Sequence, residues 1–424
     1  MTSNGLPLND DIVDRILTFL TSFSTLRSAI LTSKSFYKVF QTRPKSILRA
    51  VSFNVVGPAL PQALRVVRYN PPDDDSKETT YDDLPQPELE DDHEAPITPK
   101  ESAELMEIEE TARGLEDLFS LRHKNCRFTA SQLSPLESHR FCRAVYRIML
   151  YSRVFAWNRY LDFVERIELE EIDSGEIAVA MERTQAARTE FLSQFSTREL
   201  CEILCVSMFL TEVLQAAVND LDEPPTLDDS EFLLAFGPAD ILQKFRRPRS
   251  NGYIFQLIAE DGGIHLFCAG FLSNAIGSLL TKRGVKVPSR NDREWWSSIL
   301  DTIDGEHDTC DQCNQKTGLD LLGPSTYEYF SKCSAELHVS NLPNLLINGL
   351  PINHDDYRIY LLNWLEREPV PFDEVFQWIH QGHKLAEFDG WKEEDWLCED
   401  CIIHILGEHL HLWLQDLNQS PFNI

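Results

Sequence analysis

Two Cys-x-x-Cys pairs, Cys310 with Cys313 and Cys398 with Cys401, constrain this chain more than any other feature. Each pair turns two sulfurs toward one point, and two such pairs together complete the tetrahedral set of four thiolates that zinc prefers. The short form of this signature spaces its pairs by about 15 to 20 residues, whereas 84 lie between them here. A helical insertion fills such a gap at little cost, because loop-closure entropy grows slowly with length. The alternative is two unrelated thiol pairs in core or turn. Cys333 is a substitute ligand. A closed shell of four thiolates leaves no position for a substrate, so a zinc held there is structural and contributes to folding. The second pair opens an apolar-periodic segment, Cys401 to Leu417, and thiolates at a helix N-terminus are stabilised by its dipole. His404, Glu408 and His411 share one face of that segment, either as a second metal site or as a solvated face. Trp391, Trp396 and Trp413 read as anchors for the helix.

The remaining periodicity is helical. Leu105, Ile108, Leu115, Leu118 and Phe119 outline a first helix or pair. Ser134 followed by Pro135 caps a long helix through Phe141, Val145, Ile148 and Met149, and Ser196 to Glu199 starts another carrying Leu200, Ile203, Leu204, Leu210 and Leu214. Further helices are expected near Phe232–Phe245, Ile264–Lys282, Glu294–Ile303, Tyr357–Leu365 and Phe372–His380, with Tyr253–Ile258 a buried segment. No fixed-period repeat supports a solenoid. The expected fold is mainly α: an N-terminal three-helix unit over 1–50, a linker over 71–100 and a large irregular helical domain over 101–424, of which 305–418 is the zinc-tied part.

Between 71 and 100 the chain holds eleven acids, six prolines and two lysines. Such a stretch buries too little apolar surface to offset ordering entropy, so a disordered acidic linker is expected. Over the 424 residues, 68 acids against 39 bases give a formal charge of −29, which repels phosphate backbones and disfavours nucleic-acid binding. The one basic run, Lys244 to Arg249, reads as a helix C-terminus. No stretch is long and apolar enough to suggest a membrane span. Ten cysteines without a charged-then-apolar leader point to reduced thiols, hence to cytoplasm or nucleus.

From Leu8 to Phe40 the apolar residues Ile12, Val13, Ile16, Leu17 and Leu20 stripe a first helix capped by Asn9 or Asp10. Ser24 caps a second helix with Leu26, Ala29 and Ile30. A third follows Ser33 with Phe36, Val39 and Phe40, and Pro44 marks its end. Leu8, the acidic Asp11, the run Ile16 to Leu20, Leu26 and the turn Ser33-Lys34-Ser35-Phe36 together resemble an F-box. Asn9 stands where that family usually carries proline. The C-terminal order, knuckle first and helix-borne pair last, resembles a treble-clef zinc site in its spacing. A RING-type ligase would need more ligands than the five cysteines of this region.

The F-box resemblance implies an adaptor. Leu8, Ile12, Ile16, Leu17, Leu20, Leu26 and Phe36 would meet the F-box-binding subunit of a cullin-based ubiquitin ligase, some as inner core and some as interface, while the helical region takes a protein substrate. There is no Gly-rich phosphate loop, G-x-S-x-G elbow, H-E-x-x-H pair or kinase motif set, so no active site of its own is expected. The alternative is a zinc-stabilised helical scaffold outside any ligase.

Overall fold

A computed structural model describes residues 9–71, 81–88, 95–169, 172–218, 229–246, 270–288, 295–323, 326, 394–402 and 404–405. Among them the chain is mainly helical, with no sheet and only two isolated bridges, Thr309 with Lys316 and Leu322 with Leu397. Among the described residues no helix is long and apolar enough to cross a membrane.

The N-terminal unit builds a core of its own. Helices α1 (Asp10–Thr18), α2 (Phe23–Thr32) and α3 (Lys34–Thr42) enclose Val13, Leu17, Leu26 and Val39. Asn9 caps α1 by accepting from the Asp11 N–H at 3.3 Å. Ser22 caps α2, accepting from the Thr25 N–H at 3.0 Å, so Ser24 lies inside the first turn rather than at the cap. Ser33 caps α3 through the N–H groups of Ser35 and Phe36.

Helix α3 ends just before Pro44, as expected, but the unit goes on. Pro44 opens α4 (Pro44–Val56), where its missing N–H would have had no partner anyway. This helix completes the small core with Ile47 and Val51, then carries Val56 into the main one, with Val55 packed against both. Asn54 of α4 donates to the carbonyls of Thr18 and Leu20 at 2.7 and 2.9 Å, closing the end of α1. Gly57, at φ +80°, turns the chain into α5 (Leu60–Arg68), whose Leu60, Ala63, Leu64, Val66 and Val67 are buried.

The acidic stretch read as a disordered linker holds two docked pieces. Glu88 pairs with the buried Arg147 and with Arg65, its N–H donates to Gln194 Oε1 at 2.8 Å, and Arg65 also donates to the Gln86 carbonyl. Ile97 is buried, and Thr98 with Glu101 forms a capping box that starts α6 (Pro99–His123). Residues 72–80 and 89–94 lie outside the described set.

The body packs α6 against α7 (Pro135–Val154) and α10 (Thr197–Val218) around Phe119, Phe141 and Phe209, whose rings sit 4.8 to 6.1 Å apart. Ser134 and Glu137 form a capping box at the start of α7, and Ser196 caps α10 with Glu199 reaching back. Like α4 and α5, the helices α8 (Leu161–Glu168) and α9 (Ser174–Ser193), the latter capped by Asp173, have no sequence expectation.

The helix expected over Phe232–Phe245 is split. A 3-10 stretch, Asp229–Phe236, ends at Gly237 (φ +86°), and Pro238 opens α11 (Pro238–Arg246). The described part of Ile264–Lys282 is a turn at Gly270 (φ +63°) followed by α12 (Ser273–Lys282). In place of a helix over Glu294–Ile303 there is one 3-10 turn, Trp295–Ser298. Lys244 is buried on α11, which ends at Arg246, and the rest of the basic run, 247–249, lies outside the described residues. The expected elements at Tyr253–Ile258, Tyr357–Leu365 and Phe372–His380 lie outside the described residues.

Candidate functional site

The two cysteine pairs meet. Thr309 and Lys316 bridge a short hairpin in which the Cys310 N–H donates to the Gln315 carbonyl and the Asn314 N–H to the Cys310 carbonyl, both at 2.9 Å. Asn314 sits at φ +58°, a conformation asparagine tolerates better than most side chains, and it lets the knuckle close. The second limb is laid onto the first by backbone pairing. Leu322 and Leu397 exchange both hydrogen bonds at 2.8 and 2.9 Å. Asp311 donates its N–H to the Trp396 carbonyl and accepts the Trp396 N–H on Oδ2 at 2.7 Å. A helical turn then begins after Cys398, the Ile402 N–H donating to the Cys398 carbonyl.

All four sulfurs lie within 4.8 Å of one another, and those of Cys313 and Cys398 are 3.6 Å apart. Zinc–sulfur bonds of about 2.3 Å in a tetrahedron imply sulfur–sulfur edges of about 3.8 Å, so the cluster has the right size for one ion. Cys310 and Cys398 are buried, Cys401 is half-buried and Cys313 is exposed. Burial alone would raise the Cys310 thiol, but N–H donors from Cys313, Cys398 and Gln312 bring it down to about 7. Burial raises Cys398 and Cys401, and the neighbouring sulfurs raise them further. The arrangement can hold a metal ion in a four-thiolate shell.

A dense set of contacts fixes this centre to the body. Gly323 carries no Cβ because one would lie 2.9 Å from the Trp396 ring, which is buried there. The Arg127 guanidinium stands 5.4 Å from that ring and bonds Asp308 at 2.7 Å. The Lys124 carbonyl accepts from Asp304 and Gly305 at 3.0 and 3.2 Å, and Arg122 pairs with Asp320 at 3.1 Å. Lys124 itself is buried with its Nζ 2.9 Å from both Glu137 oxygens and 3.1 Å from Thr302 Oγ1. His404 is exposed, while Glu408, His411, Cys333, Trp391 and Trp413 lie outside the described residues.

The N-terminal candidates divide into two groups. Leu17 and Leu26 are buried core residues, and Leu20 and Phe36 are half-buried against that core. Ile12 and Ile16 are 48% and 38% exposed, and Leu8 lies outside the described residues. Helix α1 thus carries two apolar stripes. Val13, Leu17 and Leu20 face inward, while Ile12, Ile16 and Phe19, at i, i+4 and i+7, face outward, with Phe19 69% exposed. Phe19, Leu31 and Tyr37 are exposed apolar residues that sequence reasoning missed. The spacing alone held the signal for Phe19, because it repeats the phase of Ile12 and Ile16.

A cleft of about 240 Å³ opens between the Asn54–Ala59 turn and helices α6 and α7. Its Glu116 carboxylate accepts from Ser131, Ser138 and the Cys142 thiol at 2.8, 2.8 and 3.2 Å. Burial pushes the Cys142 thiol well above its ordinary range, so it stays protonated and offers no nucleophile.

Comparison with protein-family models, curated proteins and solved structures finds no match to this chain.

Proposed function

We propose that this chain is a substrate-recognition adaptor of a cullin-based ubiquitin ligase, its F-box-like helices binding the ligase's adaptor subunit and its helical body binding a protein substrate. The carrying observation is the outward stripe of Ile12, Ile16 and Phe19, left open although the unit beneath it already has a complete core. Fully burying an exposed side chain of this kind is worth about 1.5 to 3 kcal/mol, and covering the exposed part of these three supplies roughly half of that at each, a contribution that helps seat a helix in a partner's groove. The four-thiolate centre is read as structural zinc, the soft donor set and tetrahedral dimensions being those zinc favours. In this reading Cys310, Cys313, Cys398 and Cys401 hold the ion and clamp residues 394–405 onto the hairpin.

The test is binding of the purified chain to the adaptor subunit, with Ile16→Asp as the control variant. Wild-type binding lost in the variant, whose melting is unchanged, supports the reading; no wild-type binding under conditions where a known F-box protein binds rejects it.

A second reading, a zinc-stabilised scaffold outside any ligase, gains from helix α4, which runs unbroken from the small core into the main one. Removing everything before Glu101 does not separate the two readings, because α5 and Ile97 belong to the body's own core. Surface variants on α1 separate them: the scaffold reading predicts that they change nothing measurable.

A further inference from the structure

We infer that the four-cysteine centre also carries a thiol–disulfide switch, in which hydrogen peroxide exchanges the metal for a Cys313–Cys398 cross-link between the two limbs. This rests on the zinc reading above. Three observations carry it. Cys313 is the exposed residue of the set, so an oxidant meets it first. Cys398, on the opposite limb, already lies 3.6 Å from it, close enough for a bond to form after small side-chain rotations. The limbs are also held by the Leu322–Leu397 and Asp311–Trp396 backbone bonds, which do not depend on an ion. Cys398 therefore stays within reach while the metal leaves.

The chemistry closes in two steps. The Cys313 thiolate attacks one peroxide oxygen, the O–O bond breaks, and hydroxide leaves behind a sulfenic acid. The Cys398 thiolate then attacks the Cys313 sulfur, an S–S bond forms, and a second hydroxide departs. Two thiolates and one peroxide become one disulfide and two hydroxides, the sulfurs losing the two electrons that the peroxide gains. The ion then retains two thiolates of four and is released.

Among the described residues, the body's own cysteines are poor competitors. Burial raises Cys126 to about 11 and pushes Cys142, Cys201 and Cys205 upward as well, leaving them as protonated thiols. Among the described cysteines, oxidation is therefore directed to the centre.

The experiment uses the full chain. Zinc content is measured first, then peroxide is added in steps while released zinc is read with a chromogenic chelator, and disulfides are mapped by mass spectrometry after alkylation. Release of one equivalent in parallel with a Cys313–Cys398 linked peptide is the expected result. Zinc retained under peroxide, or zinc released with bonds closed inside each pair or at the body cysteines, overturns the switch while leaving the zinc site standing. An untreated protein without zinc removes the site and the switch together. In Cys313→Ser, the expected outcome is loss of the linked peptide; persistence of peroxide-driven zinc release at the wild-type dose argues against Cys313 as the point of entry.

Discussion

Replacing Glu137 by alanine tests the part of the structure on which the body and the four-cysteine cluster both depend. The Glu137 side chain is 1% exposed and faces Lys124, which is 5% exposed, at 2.9 Å. Its oxygens also accept from the main-chain N–H groups of Asp301 at 2.7 Å and Ser134 at 2.7 Å. Alanine leaves the Lys124 ammonium buried without its counter-ion, a loss of about 3 to 5 kcal/mol. It also dissolves the capping box of α7, worth about 1 kcal/mol. The expected outcome of urea unfolding followed by far-UV circular dichroism at pH 7 is a loss of about 4 kcal/mol, a large share of the roughly 5 to 15 kcal/mol that domains possess.

Lys124→Met with Glu137→Gln removes both charges while keeping an acceptor for the main-chain donors, so it should cost clearly less than alanine alone. A single-variant loss under 1 kcal/mol, or a double variant no better than Glu137→Ala, would refute the reasoning. The pH dependence supplies a sign. Burial opposes the charged form, but the Lys124 bond and the Ser134 and Asp301 N–H groups outweigh it and hold Glu137 at about 2, against an ordinary 4.5. That gap corresponds to about 3 kcal/mol, fully present above pH 4.5 and lost as the pH falls toward 2. Glu199, held at about 2 beside Ser196 and Arg147, adds to the same acid window. The alanine variant should therefore show a shallower stability loss between pH 5 and 2 than wild type.

Three further outcomes are expected. Gly323→Ala places a methyl group 2.9 to 3.0 Å from the Trp396 ring and should lower stability by about 1 to 3 kcal/mol, with a change in tryptophan fluorescence. Ile16→Asp, on the outward stripe, should shift stability by less than about 0.5 kcal/mol, whereas Leu17→Asp, one residue on and fully buried, should cost several and lower the melting temperature. Glu88→Ala leaves Arg147 with Glu199 alone and unties the 81–88 segment, so limited proteolysis should cut there sooner than in wild type.

Much of the architecture was legible in the sequence where one local rule acted alone. Ser134 before Pro135, Ser196 before Glu199, and the apolar phase of α10 each specify their element without outside help. Pro44 marked the end of α3 but not the helix it opens, because the same residue that ends one helix is tolerated in the first turn of the next. The acidic run misled for a different reason. Glu88 docks because Arg65, Arg147 and Gln194 wait for it from α5, α7 and the end of α9, and composition over thirty residues cannot register partners so distant in sequence. Helix α9 was hidden by its charges. Its buried face runs through Ala180, Thr184, Ala187, Arg188 and Phe191, and Arg188 counts as apolar surface only because it lies over the Phe155 and Phe271 rings at 5.8 and 4.8 Å. The four-cysteine cluster was legible from the two pairs, yet what brings them together was not. The Leu322–Leu397 pairing uses backbone groups that any residue possesses.

Those backbone pairings also explain how pairs so far apart in sequence can share one site. The site needs a fixed platform rather than a short connection, and the end of α6 provides it. Lys124 sends its ammonium inward to Glu137 and Thr302, and its carbonyl outward to the N–H groups of Asp304 and Gly305. Three residues on, Arg127 holds Asp308 and the Trp396 ring, one element from each limb of the centre. A single turn of chain therefore positions the hairpin and, through Trp396, the helix-borne pair. Because Lys124 cannot leave Glu137 without stranding a buried charge, the platform moves only if the α6–α7 packing moves with it. The intervening residues are then free to vary in length without disturbing the four sulfurs, since the closure cost of a longer excursion rises only logarithmically.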